Sequence, residues 1–447
     1  MAELPRKLGL LDATLIVIGI VIGSGIFLLP NLIARNLPSG STILAVWVVA
    51  GVLSYFGALA YAELGAMMPA TGGQYVYLRE AFGSLCAFLC GWVFMLAVLP
   101  GGTAFLAVGF SIYLSHFIPL APAVRTIVSL LLVAILSAAN YVGVVEGAWI
   151  QRVFTLLKIA GLVLVIGEAV LAKHPVGLAQ SLAQPFTYRG VGYAMGACLM
   201  AYNGWSYVSF VAGEVKNPRR NLPRALAFGM WAVIARYVLT NLAYLNVLTV
   251  PEIGATERVG AAVAERSMGP GGASVLAAVV LASIIGAING CILTGARIPF
   301  AQAHDGMFFQ RFGRVHPRFE TPAFAIVIQG IWACVLIVTG SYETLFSYAI
   351  LSAWVFYVLS VAAVWVLRRK MPDAERPYRM WGYPATLWLF LIVSLWFMAD
   401  ALVNQTRASL TAIAMAAAGI PFYLILRRRP PQPVMPSISE PADADPR

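Results

Sequence analysis

The chain has 447 residues, of which 60% are hydrophobic and only 11% are charged. Soluble domains carry about 25% charged residues, so this composition excludes a soluble globular protein and indicates a polytopic membrane protein. The net charge of +11 does not indicate a nucleic-acid partner, because the basic residues lie in short loops between apolar runs, as the positive-inside rule describes.

Twelve apolar stretches follow one another along the chain, each near the roughly 20 residues that a membrane-spanning helix needs. We number them spans 1 to 12; they cover 12–35, 42–68, 84–115, 123–141, 148–172, 190–212, 224–249, 271–302, 322–340, 345–367, 384–403 and 408–427. If the N-terminus is inside, most Lys and Arg residues fall on the cytoplasmic side. We therefore expect a multi-pass protein of the cell inner (plasma) membrane with both termini in the cytoplasm.

The two ends of the chain lie outside the spans. Residues 1–11 are expected to be a cytoplasmic N-terminus, and no cleavable signal peptide is expected before span 1. Residues 428–447 are rich in proline and poor in apolar side chains, which predicts a disordered cytoplasmic tail.

Span 1 contains a helix-breaking motif, Gly23-Ser24-Gly25, within an apolar run. Lipid cannot hydrogen-bond a free backbone group, so a broken helix at membrane depth is tolerated only where it lines a protein-enclosed cavity. Unwinding frees N–H groups at the positive end of the next half-helix, which suits a carboxylate. The alternative is that these glycine residues only allow close helix packing.

Span 6 contains a second break, Asn203-Gly204-Trp205, at the corresponding place in the second half of the chain. Spans 1–5 (residues 12–172) and spans 6–10 (residues 190–367) therefore read as two copies of opposite orientation, because five is odd. Such paired broken helices indicate the substrate site of a transporter with an inverted repeat. Spans 11 and 12 (residues 384–427) are an addition.

Three polar side chains interrupt the other spans. Lys158 lies about ten residues into span 5, and a charge inside the membrane is a functional hypothesis by default. The alternative is that its ammonium reaches the cytoplasmic interface by snorkelling. Arg236 in span 7 is expected to face a cytoplasmic vestibule or pair with an acidic residue. Tyr244, also in span 7, either hydrogen-bonds across to span 1 or is simply packed.

Six sequence stretches in order carry a family resemblance: VIGSGIF, ALAYAELGAMMPATGGQYVYLREAFGSL, AYNGWSYVSFVAGEVKNPRRNLPRA, YVLTNLAY, NGCILTGARIPFAQAHDG and RRKMPDAERPYRMWGYP. The chain resembles the amino acid–polyamine–organocation superfamily, and within it the L-type amino acid transporters (the light subunits of heteromeric exchangers) and their bacterial relatives. The resemblance implies an all-α membrane protein with a leucine-transporter-type five-plus-five inverted repeat, discontinuous helices 1 and 6, and two further helices. The light subunits carry a cysteine between helices 3 and 4. This chain has none in LSHFIPLAPA, so no disulfide-linked heavy subunit is expected.

The resemblance also implies a set of site residues around the two breaks. The expected substrate-binding residues are Val21, Ile22, Gly23, Ser24, Gly25, Met200, Asn203, Gly204, Trp205 and Tyr207. Some relatives that accept cationic amino acids hold an acidic residue where this chain has Asn203, which is neutral, so a neutral amino acid is favoured. Coupling and gating are expected from Lys158, Ser283 and Tyr244, with the Lys158 ammonium replacing the sodium that other members of the fold hold between helices 1 and 8.

These features predict a sodium-independent exchanger of neutral L-amino acids that works by alternating access. The alternatives are a proton-coupled amino acid symporter, or a carrier that also accepts cationic amino acids. An enzyme is not expected, because the sequence carries none of the common catalytic motifs. No cofactor or metal is expected either, since the five cysteine residues all lie in apolar spans without accompanying ligands. The expected partners are the amino acid and the lipid bilayer.

Overall fold

The computed structural model describes residues 4–23, 25–171, 178–182, 184–186, 190–256, 258–340, 342–404 and 406–426. These residues are mostly helical, and their only extended pairing is an isolated bridge between Leu8 and Val215. The predicted tail, residues 428–447, and Ser24 of the first break lie outside the described residues.

The first half of the chain includes spans 1 to 5 and the segment that follows them, and it is mostly helical. Its helices are α1 (Leu10–Val21), α2 (Gly25–Asn36), α3 (Gly40–Met67), α4 (Gln74–Phe82), α5 (Ser84–Val93), α6 (Leu99–Leu114), α7 (Pro122–Val142), α8 (Val144–Val170) and α9 (Leu178–Leu182). A π-helical segment, Phe94–Val98, joins α5 to α6 without a break.

The second half of the chain forms the remaining helices. They are α10 (Val191–Ala201), α11 (Pro218–Val247), α12 (Val250–Ala255), α13 (Val259–Met268), α14 (Gly272–Gly295), α15 (Arg297–His304), α16 (Ala323–Thr339), α17 (Tyr342–Lys370), α18 (Ala385–Asn404), α19 (Thr406–Ala417) and α20 (Gly419–Leu426). Two 3-10 helices lie between them, Trp205–Glu214 and Gln310–Gly313.

Within the described residues, nine helices are long and apolar enough to cross a membrane. They are Gly40–Met67, Ser84–Leu114, Pro122–Val142, Val144–Val170, Pro218–Val247, Gly272–His304, Leu351–Lys370, Ala385–Val403 and Ser409–Leu426. These nine overlap predicted spans 2–5, 7, 8 and 10–12. Span 9 forms the shorter apolar helix α16, and spans 1 and 6 are each divided in two. The chain is therefore a multi-pass membrane protein.

The divided helices occupy the centre of the molecule. Helix α1 packs against α8, α11 and α14, and α11 runs along α3. The side chains of Trp47, Tyr202 and Tyr237 are fully buried there. Large apolar side chains such as Ile135 and Trp149 are instead exposed on the outer helices, as expected for a surface that contacts lipid.

Candidate functional site

The first helix break begins where α1 ends at Val21, and α2 starts at Gly25. The backbone leaves helical geometry at Ile22 (φ −77°, ψ 82°). A methyl group placed on the Gly23 Cα would meet no atom within 4 Å, so open space adjoins this residue. A methyl group on Gly25 would instead lie 3.5 Å from the Ala201 Cα. The start of α2 therefore lies directly beside the end of α10.

The second break lies between Ala201, the last residue of α10, and Trp205, the first of the 3-10 helix. Gly204 has a φ of +114°, a backbone conformation that favours glycine. A Cβ atom there would also come within 2.7 Å of the Ile20 Cγ2. The second break therefore approaches α1 so closely that any side chain at position 204 would meet both strain and a steric clash.

Tyr237 of α11 links the two breaks. Its hydroxyl donates to the Val21 carbonyl oxygen at 2.8 Å and lies 3.1 Å from that of Ala201. A phenol has one proton, so the two carbonyls share it. Sequence reasoning singled out Tyr244 of the YVLTNLAY stretch and missed Tyr237, the first residue of that stretch. No local sequence signal marks Tyr237, because the apolar composition of span 7 does not show which of its faces is buried.

Lys158 of α8 is fully buried and bound to the end of α1. Its Nζ lies 2.8 Å from the Gly19 carbonyl oxygen, 2.7 Å from that of Ile22 and 3.1 Å from that of Ser283. Three carbonyls thus accept the three donors of the ammonium. The positive charge sits at the negative end of the α1 dipole, which favours it. The Lys158 side chain therefore points into the protein and does not snorkel to the membrane interface.

Two further residues complete the polar contacts around the first break. The Ser283 hydroxyl donates to the Ile22 carbonyl oxygen at 3.0 Å, and the Tyr244 hydroxyl lies 3.5 Å from that of Ile26. Arg236, half-buried, donates to the Ile159 carbonyl oxygen at 3.1 Å. The contact that the structure gives Arg236 is therefore a backbone carbonyl, where the sequence predicted a vestibule or an acidic partner.

Aromatic residues form the side of the site that follows the second break. Trp205 packs edge-to-face on Tyr61, with ring centroids 5.0 Å apart, and lies 6.0 Å from the ring of Tyr357. Tyr207 stacks on Phe210 at 5.3 Å. Both Trp205 and Tyr207 are buried, so neither faces lipid.

Asn203 and Met200, also expected to line the site, are more exposed than these aromatic residues. Asn203 is partly exposed, and its backbone N–H donates to the Met200 carbonyl oxygen at 3.1 Å. The Met200 side chain is 41% exposed on the surface of α10. The structure thus brings Asn203 to the break but turns the Met200 side chain away from the buried aromatic residues.

A buried ion pair closes one end of the 3-10 helix. Arg297, the first residue of α15, donates two hydrogen bonds to Glu214, the last residue of the 3-10 helix. They are Nε–Oε1 at 2.7 Å and Nη2–Oε2 at 2.8 Å, and both side chains are fully buried. The Glu214 carbonyl oxygen also accepts the Leu8 N–H at 2.9 Å, and Leu8 in turn accepts from Lys216. The chain before α1, the 3-10 helix and α15 are therefore locked together.

Neither residue of this ion pair was singled out from the sequence, although each lies in one of the resemblance stretches. Their sequence separation of 83 residues hides the pairing from any local pattern. In the part of the chain that the structure describes, no group of three or more His, Cys, Asp or Glu side chains is arranged to hold a metal ion.

Comparison of the sequence with those of known proteins identifies the family of this chain. The amino acid permease family model matches residues 8–419. The serine/threonine exchanger SteT of Bacillus subtilis (strain 168) is 30% identical, over 95% of this chain and 98% of its own length. The human b(0,+)-type amino acid transporter 1 is 31% identical, over 95% and 88%. The rat large neutral amino acids transporter small subunit 2 is 31% identical, over 94% and 81%.

These relatives are transporters and not enzymes, and the match extends over nearly the whole of this chain. The chain therefore belongs to the amino acid permease family, within the amino acid–polyamine–organocation superfamily and close to the L-type transporters and their bacterial relatives.

Proposed function

We propose that this protein is a sodium-independent exchanger of neutral L-amino acids that works by alternating access. Transport of amino acids is what family membership supports directly. Exchange is supported by the name of one relative, the serine/threonine exchanger of Bacillus subtilis. The proposed architecture is the five-plus-five inverted repeat, with residues 12–172 and 190–367 as the two copies and 384–427 as the added helices. Both termini are then cytoplasmic, in the cell inner membrane.

The observation that carries the proposal is the position of the Lys158 ammonium. It occupies the point where the α1 carbonyls of Gly19 and Ile22 meet the Ser283 carbonyl of α14. Carbonyl oxygens at the end of a half-helix are the ligands that transporters of this kind offer to a sodium ion. A covalently attached cation at this point makes a bound sodium ion unnecessary.

The substrate would bind between the two breaks, next to the open space at Gly23. Free N–H groups at the start of α2 suit the α-carboxylate. The Ala201 carbonyl at the end of α10 suits the ammonium, because an oxygen that accepts from Tyr237 keeps a second lone pair. The Val21 oxygen at the end of α1 already accepts from both the Tyr237 hydroxyl and the Gly23 N–H. Asn203, which is neutral, would adjoin the substrate side chain, and this supports a neutral amino acid.

Alternating access requires that one end of the site be closed while the other opens. The contacts of Leu8 with Glu214 and Val215, together with the Arg297–Glu214 pair, join the segments at one end of the site. We infer that they close this end. On the proposed topology this end is the cytoplasmic one. Inward opening would have to release the chain before α1 from the 3-10 helix. No disulfide-linked heavy subunit is proposed, since the loop between α6 and α7 has no cysteine.

Uptake of radiolabelled serine or leucine into proteoliposomes in sodium-free buffer tests the proposal. Vesicles preloaded with unlabelled amino acid should take up label, and empty vesicles should not. Empty-vesicle uptake that follows an imposed pH gradient would replace exchange by proton symport, with Lys158 as the titrating group to examine next. A requirement for sodium would contradict the role given to Lys158.

A further inference from the structure

An apolar groove runs between α7 and α16 on the outside of the helix bundle. Its volume is about 710 Å³, and it is lined along α7 from Leu130 to Val142 and along α16 from Val327 to Thr339. Small residues shape it: a Cβ atom at Gly330 would lie only 2.7 Å from the Ser137 Oγ, so the two helices nearly touch at its floor.

The groove opens at one end into a basic pocket. This second cavity has a volume of about 850 Å³ and is lined by Arg311, Arg314 and His316. Tyr141 and Val327 line both cavities, so they are continuous. Both arginine side chains are exposed. Neither arginine takes part in the ion pairs found among the residues that the structure describes.

We propose that this groove and pocket bind one anionic phospholipid, with its phosphate at Arg311 and Arg314 and an acyl chain along the groove. The twelve residue steps from Leu130 to Val142 correspond to about 18 Å of helix. One leaflet is half of a hydrocarbon core about 30 Å thick, so the groove matches a single acyl chain. A transmembrane helix of another protein would need the whole thickness.

The charge of the pocket selects the headgroup. On the proposed orientation, the loop between α15 and α16 is cytoplasmic, where anionic lipids meet basic pockets between helices. Arginine forms paired hydrogen bonds with phosphate oxygens, which gives the site geometry as well as charge. An anionic headgroup is therefore preferred over a zwitterionic one of equal chain length.

Native mass spectrometry of the full chain, equilibrated with equal amounts of phosphatidylglycerol and phosphatidylcholine of identical acyl chains, tests this site. Wild type should retain phosphatidylglycerol preferentially. In Arg311→Gln/Arg314→Gln its retention should weaken by about thirtyfold, since each basic residue near an anionic surface contributes about 1 kcal/mol and 1.4 kcal/mol is tenfold. The matched control is Arg220→Gln/Arg224→Gln, two exposed arginine residues far along the chain from the groove.

A second pair of variants tests the acyl chain. Ala138→Phe fills the groove and should abolish retention, whereas Ala160→Phe, at an exposed alanine on α8 outside the groove, should not. Unchanged retention in the double arginine variant would overturn the site. Loss there with normal retention in Ala138→Phe would indicate an anion site without an acyl chain, and would also overturn it. A wild-type dimer that Ala138→Phe dissociates would assign the groove to a second copy. None of these readouts requires transport, so they stand or fall apart from the proposed exchange.

Discussion

Lys158 and Ser283, from two different helices, reach the same oxygen atom. The Lys158 Nζ lies 2.7 Å and the Ser283 Oγ 3.0 Å from the carbonyl oxygen of Ile22, the residue that follows the end of α1. The end of this half-helix is therefore held by a side chain of α8 and one of α14 together. Any movement of the end of α1 relative to α8 and α14 must break or rearrange both contacts.

Removal of the Lys158 side chain should uncouple α1 from α8. In Lys158→Ala three buried carbonyls lose the ammonium as a donor, although the Ile22 oxygen keeps the Ser283 hydroxyl. Each carbonyl left unsatisfied costs about 1–3 kcal/mol. We expect a folded protein that still binds substrate but exchanges it at least about tenfold more slowly, or with altered sidedness. Proteoliposome exchange and ligand-induced thermal stabilisation measure the two properties separately.

The matched control for this variant is Lys216→Ala. Lys216 is an exposed lysine whose contact with Leu8 is made by its backbone N–H, so the substitution keeps that bond. Its exchange rate should equal that of wild type. Wild-type turnover in Lys158→Ala would remove Lys158 from the mechanism.

Tyr237→Phe should weaken the connection between the two breaks without changing the packing. The variant loses one shared hydroxyl, which we expect to lower stability by about 0.5–1.5 kcal/mol and to slow exchange several-fold. Tyr244→Phe is the matched control, because its hydroxyl makes only a 3.5 Å contact with the Ile26 oxygen. Equal exchange rates in the two variants would argue against a special role for Tyr237.

The positions of the helix breaks could be predicted from the sequence because glycine is a local signal. The structure ends α1 at Val21 and α10 at Ala201, within two residues of the predicted motifs. Tyr237 and the Arg297–Glu214 pair could not be predicted, because their partners are distant in sequence and apolar composition does not show which face of a helix is buried. The exposure of the Met200 side chain depends on the rotation of α10, which the sequence does not determine.

Asn203→Asp should shift selectivity toward cationic amino acids. A carboxylate beside the substrate side chain would attract an ammonium or guanidinium group and repel an acidic one. Competition of unlabelled lysine, arginine, serine and leucine with labelled uptake in proteoliposomes measures the change. An unaltered competition profile would exclude position 203 from substrate selection.

Breaking the Arg297–Glu214 pair on one side should be far worse than removing both charges. Arg297→Met leaves a fully buried carboxylate without its partner, and loss of one member of such a pair costs about 3–5 kcal/mol. In Arg297→Met/Glu214→Met no charge is left buried, so we expect much of the stability to return. Melting temperatures of the single and double variants, read from the monodisperse fraction after heating, measure this difference. A double variant as unstable as Arg297→Met would show that the unpaired Glu214 carboxylate is not the cause of the lost stability.

Gly204→Ala separates the close approach of the two breaks from backbone strain. Gly204 and Gly269 both have positive φ values, +114° and +80°, so alanine at either position adopts an unfavourable conformation, at about 1–3 kcal/mol. Only at position 204 does the new methyl also meet another helix, 2.7 Å from the Ile20 Cγ2; at 269 it meets nothing within 4 Å. Both variants should therefore lose some stability, but only Gly204→Ala should also lose substrate-dependent thermal stabilisation and exchange, because it forces α1 away from the 3-10 helix. Equal losses of exchange in the two variants would mean that strain alone explains the glycine at position 204.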